Sequence, residues 1–182
     1  MEISLISGHV FIATSLDGFI ARDNGDIGWL MERNEPGENY GYDSFIADID
    51  VIVLGRGSFL ALRDVKPWLY TLPVVVLSAS LTQDHVPDDL KDKVEICDKP
   101  PKQVMQMLQS RGCRRVYVDG GRVVQSFLAE RLIADMVITR VPVLLGQGRS
   151  LFGAIPEDIP LVHEKTETFP AGFVQSRYKI AG

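Results

Sequence analysis

Three short apolar runs constrain this chain more than any other feature: DVIVLGRGSF (50–59), LPVVVLSAS (72–80) and RRVYVDGG (114–121). Each is continuous rather than alternating, so a strand built from it has no polar face to give to water. Such strands belong in the middle of a parallel sheet that is covered on both faces. Each run also ends in a small or hydroxyl residue, Gly55, Ser78 and Gly120. In open α/β sheets ligands lie outside the carboxyl ends of the strands. Three strand ends stripped of bulk therefore point to one shared crevice.

The rest of the chain fits around that sheet. HVFIATSL (9–16) reads as a further buried strand, and DGFIA (17–21) as a turn into a short extended piece. Residues 22–41 are rich in Gly, Asn, Asp and Glu and form a long loop, a common place for function. Tyr42, Phe45, Ile46 and Ile49 have the spacing of an amphipathic helix. VEICD (94–98) is a short strand, followed by a helix over 101–111 with Val104, Met107 and Leu108 on one face. Val124, Phe127, Leu128 and Leu132 mark the helix after RRVYVDGG, and ADMVITRVPVLLG (134–146) is a long strand or a strand pair. LVHEKTETF (161–169) and GFVQSRYKI (172–180), with Val174, Tyr178 and Ile180 on one face, make an antiparallel hairpin at the sheet edge. The expected architecture is one α/β domain over 1–182: a mostly parallel mixed sheet, helices on both faces, and a C-terminal antiparallel hairpin.

Composition narrows the partners. The 182 residues are 46% apolar and 24% charged, with a net charge of −5. An acidic balance argues against nucleic acid or an anionic membrane, both of which need a broad basic field. A small anion needs only two or three placed arginines. Cys97 and Cys113 are not spaced as a metal pair, and with three histidines no zinc pattern assembles, so no metal is expected. The sequence has no 18-residue apolar run and no basic-then-apolar leader, which reads as a cytoplasmic protein.

The motifs at the strand ends carry the chemistry. In DGGRVV (119–124), Gly120 and Gly121 let a phosphate approach the backbone. The following helix offers unpaired N–H groups and a positive dipole end. Arg122 in the first turn opposes that dipole, and a bound anion resolves the conflict. A tight strand-to-helix turn accounts for the glycines equally well. LGRGS (54–58) repeats the pattern: Arg56 and Ser58 can hold a phosphate by forked hydrogen bonds, or the arginine is simply solvated. LSAS (77–80) adds Ser78, whose hydroxyl also suits a turn cap. Together the three suit a dinucleotide whose extra phosphate is gripped by Arg56 and Ser78. GxGxxG follows none of the strands, GQGRS (146–150) imitates it without a clear helix, and GxxxxGK[ST] does not occur.

FIATSLDGFIARDNGDIGWL (11–30), VIVLGRGSF (51–59), VVVLSAS (74–80) and VYVDGGRVVQSFL (116–128), in this order and spacing, resemble the dihydrofolate reductase superfamily. DMVITRVPVLLGQGRSLFG (135–153) is similar to the reductase domain of the bifunctional riboflavin-biosynthesis deaminase-reductase. The zinc motifs of the deaminase half, HxE and PCxxC, do not occur. The chain thus looks like a stand-alone relative of that reductase domain.

The resemblance covers residues 9–180 and implies a three-layer dihydrofolate reductase-like fold. It also implies an NADPH-dependent reductase of a small pterin-, pyrimidine- or carbonyl-type substrate, like the 5-amino-6-(5-phosphoribosylamino)uracil reductase of riboflavin biosynthesis. By position it puts Ala13 and Ile20 at the nicotinamide, and Gly55, Arg56, Gly57 and Ser58 at the cofactor phosphates. Arg56 and Ser78 fall near the 2′-phosphate, and Gly120, Gly121, Arg122 and Val123 around the pyrophosphate. Trp29 matches the tryptophan of a mobile loop that closes over the nicotinamide. Substrate contacts are expected from Trp29, Tyr42, Phe45 and Thr139.

The proton donor is the gap in this pattern. Folate reductases carry an acid on the helix before the GR strand, and here that position falls near Gly41 and Tyr42. Asp43 beside it and Asp26 in the loop are the candidate acids, although a solvated helix-start residue and a plain turn residue explain them too. Asp17 reads as a turn residue. Without an evident donor, a second reading is a non-catalytic NADP-binding or sensor protein that keeps the crevice. A homodimer edge made by VITRVPVLLG (137–146) and the hairpin is a further expectation, and a sheet core explains those residues as well.

Overall fold

The computed structural model describes residues 6–181. The chain opens with β1 (Ser7–Ser15) and β2 (Phe19–Ala21), then a long connection holding the single turn α1 (Gly28–Met31). α2 (Tyr42–Ile46) leads to β3 (Val51–Gly55), α3 (Arg56–Leu62) and β4 (Val74–Leu77). β5 (Val94–Cys97), α4 (Pro101–Ser110), β6 (Arg115–Asp119), α5 (Gly121–Ala129) and β7 (Ile133–Val141) follow. The two-residue β8 (Arg149–Ser150) precedes a hairpin of β9 (Leu161–Thr168) and β10 (Val174–Ile180).

Eight strands form one sheet in the order β5-β4-β3-β6-β1-β7-β10-β9. The first six run parallel, and β10 is antiparallel to both β7 and β9. This is the mixed α/β sheet with a terminal hairpin expected from the sequence. The unbroken apolar runs take the covered positions: Val51 to Leu54 of β3 and Val74 to Val76 of β4 are all buried. On one face α4 and α5 pack Val104, Leu108, Val124 and Phe127 against Val53, Val75 and Val118. On the other, Phe45, Ile49 and Phe59 from α2 and α3 and the turn between α2 and β3 cover Ile52, Leu54 and Val76. β9 is exposed along its whole length and carries Glu164, Lys165 and Glu167, charges that suit an edge strand.

Some details differ from the sequence reading. α4 begins with Pro101 in its first turn and buries Met105, while Met107 is only partly covered. Leu132 lies beyond the end of α5 but packs on the same core. Residues 137–141, offered as a dimer edge, lie inside the sheet, because β7 is flanked by β1 and β10. β8 had no counterpart in the reading; it pairs with β2. No helix among the described residues is long and apolar enough to cross a membrane.

Candidate functional site

β3 and β6 are neighbours, yet the chain leaves them toward opposite faces and opposite edges of the sheet. From β3, α3 runs out to β4 with Phe59 on one face; from β6, α5 crosses β1 to reach β7 with Phe127 on the other. Such a parting opens a crevice at the carboxyl ends of the strands. Residues 55–58 form one wall and residues 120–123 the other. A Cβ on Gly120 would lie 3.0 Å from Ser58 Oγ, and one on Gly55 would lie 3.0 Å from Val123 Cγ2. The two motifs that stood 65 residues apart in the reading thus meet, and Ser78 follows Leu77, the residue in register with Gly55.

The paired glycines have a cause in the chain itself. Gly120 has a φ of 99°, a backbone region that side chains strain to occupy. At Gly121 a Cβ would lie 2.5 Å from the Ser150 carbonyl oxygen and 3.2 Å from Ile20 Cδ1, because β8 crosses directly over it. Close packing therefore requires both glycines before any ligand is considered. The anion-binding potential lies in the backbone instead. The α5 ladder begins with Val124 N–H donating to the Gly120 carbonyl, which leaves the N–H groups of Gly121, Arg122 and Val123 ahead of it. Arg56 and Arg122 are exposed and have no carboxylate partner among the described residues.

Beside this crevice the sheet splits. β1 pairs with β6 only as far as His9 and Tyr117, while its pairing with β7 continues to Ser15. In the gap, Tyr117 Oη donates to the Phe11 carbonyl at 2.9 Å. Strand alternation turns the N–H and C=O of Ala13 to the same open edge as those of Phe11. Ala13 thus presents a donor and an acceptor at the place the resemblance assigns to a carboxamide.

Asp119, the last residue of β6, sits between the glycine wall and this gap. Burial pushes its carboxyl up from 3.8 to about 6, opposed by a hydrogen bond from the Gly120 N–H. Three tyrosines feel its charge. Burial, then the charges of Asp119 and Asp43, push Tyr42 up to about 12. Tyr70 and Tyr117 are raised by burial and then by Asp119. Phe11, Tyr42, Phe45 and Tyr117 form a continuous aromatic wall, with Phe11–Phe45 and Phe45–Tyr117 centroids 5.1 Å apart. The arrangement sets a partly buried acid beside a flat aromatic surface.

The remaining sequence candidates fall in different places. Asp26 and Asp43 are exposed and taken up locally: Asp26 accepts from Gly28 N–H and pairs with Arg22, and Asp43 accepts from Asn39 Nδ2. Both lie at exposed positions, whereas Asp119 is partly buried at the end of β6. Asp17 is held down to about 2 by the Ser15 hydroxyl, with further bonds from Gly146 and Leu145 N–H, so it clamps its turn to the segment after β7. Ser78 is buried and accepts from Ser80 and Leu81 N–H, which makes it the turn cap. Trp29 is 3% exposed and packs with Tyr40, Val141 and Phe173 beside Ala13, its indole Nε1 without a partner. Its packing fastens the segment around α1 to that cluster. Thr139 is buried, in register with Ala13, and accepts from Gln175 Nε2. Arg149, absent from the reading, enters beside Gly57.

A mostly parallel sheet with a switch point between β3 and β6, and a partly buried acid beside it, defines an α/β protein of the open-sheet class. The RibD C-terminal domain model matches residues 8–174, and the chain belongs to that family of reductase domains. A riboflavin biosynthesis protein homologue from Shewanella sp. PV-4 is similar over 97% of this chain and 100% of its own, at 35% identity and a TM-score of 0.90. The uncharacterized protein YwjB of Bacillus subtilis (strain 168) is 29% identical over 162 residues, 88% of this chain and 90% of YwjB. The Thermotoga maritima diaminohydroxyphosphoribosylaminopyrimidine deaminase/5-amino-6-(5-phosphoribosylamino)uracil reductase shares the fold at 17% identity and a TM-score of 0.71. That likeness covers 97% of this chain and 57% of that one.

Proposed function

We propose that the protein is an NADPH-dependent reductase of a small planar heterocycle, with Asp119 as its proton donor. The observation that carries this reading is the partly buried Asp119 at the end of β6, between the crevice of residues 55–58 and 120–123 and an aromatic wall. The chain's groups suit the cofactor. The N–H groups of Gly121, Arg122 and Val123 and the unpaired guanidinium groups of Arg56 and Arg122 fit its phosphates, and the Ala13 backbone fits a carboxamide. When bound, the nicotinamide supplies the hydride.

The protein's own part is alignment, exclusion of water and one proton. Phe11, Tyr42 and Phe45 offer the face on which a flat substrate stacks. Asp119 keeps its proton up to about pH 6 because burial disfavours the charged form. Its Oδ–H donates toward the gap, and the Gly120 N–H stabilises the carboxylate left behind. The binding-only reading rested on the lack of an acid in the crevice, and Asp119 removes that support.

Equilibrium binding of NADPH and NADH, read by energy transfer from tryptophan, tests the reading. Micromolar or tighter NADPH with NADH at least about tenfold weaker, a difference of about 1.4 kcal/mol, is the expected result. Arg56→Ala is expected to remove that preference. Absence of binding by either nucleotide would end the proposal.

A further inference from the structure

We infer that Arg149 is a further contact for the diphosphate of the dinucleotide, and that it ties the 22–27 loop to an occupied crevice. The inference rests on the reading of the crevice as a dinucleotide site. β8 fixes Arg149 firmly. Its residues pair with Phe19 and Ala21 of β2, and Gln125 Nε2 donates to the carbonyls of Ser150 and Leu151 at 3.1 and 3.2 Å. From there the side chain reaches across the mouth of the crevice. A Cβ on Gly57 would lie 3.1 Å from Arg149 Nη1, and one on Gly25 would lie 3.3 Å from the same nitrogen. The guanidinium therefore lies between the loop and residue 57.

Its hydrogen bonds do not account for a charge placed there. Nε and Nη2 both donate to the Asp23 carbonyl, at 3.2 and 3.1 Å. Arg149 is exposed and, like Arg56 and Arg122, has no carboxylate partner among the described residues. Each of the three adjoins the crevice. Arg56 precedes Gly57, which Arg149 touches; Arg122 follows Gly121, on which the Ser150 carbonyl sits. Three guanidinium groups thus adjoin one crevice in a chain of net charge −5. A carbonyl leaves the positive charge of the guanidinium unmatched, whereas a phosphate supplies the opposite charge and accepts two parallel bonds from its fork. An anion in the crevice engages Nη1 while Nε and Nη2 keep the Asp23 carbonyl, so one side chain joins the ligand to the loop.

The position separates Arg149 from Arg56 in function. The diphosphate is common to NADPH and NADH, so Arg149→Ala is expected to weaken both by a similar factor, about tenfold, at low salt. Arg149→Lys keeps the charge but not the fork and is expected to recover only part of the loss. NADPH is expected to slow amide exchange of residues 22–27 in the wild-type protein and not in Arg149→Ala. Both variants lie on the surface, and an unchanged melting temperature identifies them as folded. Unaltered nucleotide affinity and unaltered loop protection in Arg149→Ala would overturn the inference and leave the reductase reading standing. Loss of NADPH binding alone, with NADH unaffected, would also overturn it by placing Arg149 at the 2′-phosphate. A wild-type protein that binds neither nucleotide would remove the cofactor reading itself.

Discussion

Two carboxyl groups on the same face of the sheet, one at each end, have opposite surroundings. At the amino end Asp135 accepts from His9 Nδ1 at 2.9 Å, and His9 Nε2 lies 2.9 Å from Ser7 Oγ. Burial pushes Asp135 up, but the His9 hydrogen bond and the charges of His9, Arg177 and Arg115 outweigh it and hold the carboxyl below its ordinary range. At the carboxyl end Asp119 has burial and no cation, and it rises to about 6. The first group has the Ser-His-Asp order of a hydrolase, yet its imidazole is 1% exposed and the Arg115 guanidinium lies 3.4 Å away. That cation opposes the positive imidazole a hydrolase needs. The carboxyl at the amino end is held by a histidine and nearby cations, whereas burial dominates at the carboxyl end.

The largest expected effect is on turnover. Asp119→Asn removes the proton and is expected to lower kcat by roughly 10²- to 10⁴-fold with whichever heterocycle the enzyme reduces. NADPH affinity should stay within about threefold, since the carboxyl is not among the phosphate contacts. Single-turnover absorbance at the nicotinamide band separates the two. A variant that reduces substrate at the wild-type rate would erase the distinction between the two ends. Asp135→Ala should do the reverse. It leaves His9 buried without its partner, at a cost of about 3 kcal/mol in urea unfolding, with nucleotide binding unchanged.

A smaller effect follows from pH. The folded state raises the Asp119 value from 3.8 to about 6, so it binds the proton more tightly than the unfolded chain. The stability this contributes is fully present below about pH 4 and is lost as pH rises through 6. Two units correspond to roughly 3 kcal/mol at most. Unfolding between pH 4 and 8 should show the wild type losing that much more than Asp119→Asn. Asp135 has the opposite sign: its stabilisation is present above its ordinary value and fades in acid. Parallel profiles for wild type and Asp119→Asn would mean that the carboxyl is not enclosed.

Much of this was legible in the sequence, and the reasons are local. The continuous runs at 51–54 and 74–76 had to be doubly covered strands, and a parallel sheet gives that cover. Gly55, Ser78 and Gly120 announced the crevice because bulk is excluded where strands end against helices. The cause at Gly121 was hidden, since it depends on a carbonyl from Ser150, 29 residues on. Arg149 was hidden for the same reason: GQGRS has no periodicity, and only the pairing of β8 with β2 carries it to Gly57. Asp119 lay in plain view inside YVDGG. What distinguishes it from other aspartates is burial at a strand end, where its charge reaches Tyr42, Tyr70 and Tyr117, from segments far apart in the chain.

The smallest expected effect concerns the two acids that spacing alone suggested. Asp26 shares its turn with Asn24, Arg22 and the Gly28 N–H, and Asp43 accepts from Asn39 at 2.7 Å. Both are exposed and bonded within their own turns, unlike the partly buried acid beside the aromatic wall. Asp26→Asn and Asp43→Asn keep the local acceptor oxygens, and each should alter kcat by less than about twofold and stability by less than about 0.5 kcal/mol. The pH dependence of turnover is the sharper readout. In both variants the rate should still fall as pH rises through about 6, because that fall belongs to Asp119. If Asp43→Asn removed it, the proton would enter from the helix side of the aromatic wall, and the carboxyl at the end of β6 would be only a buried neighbour.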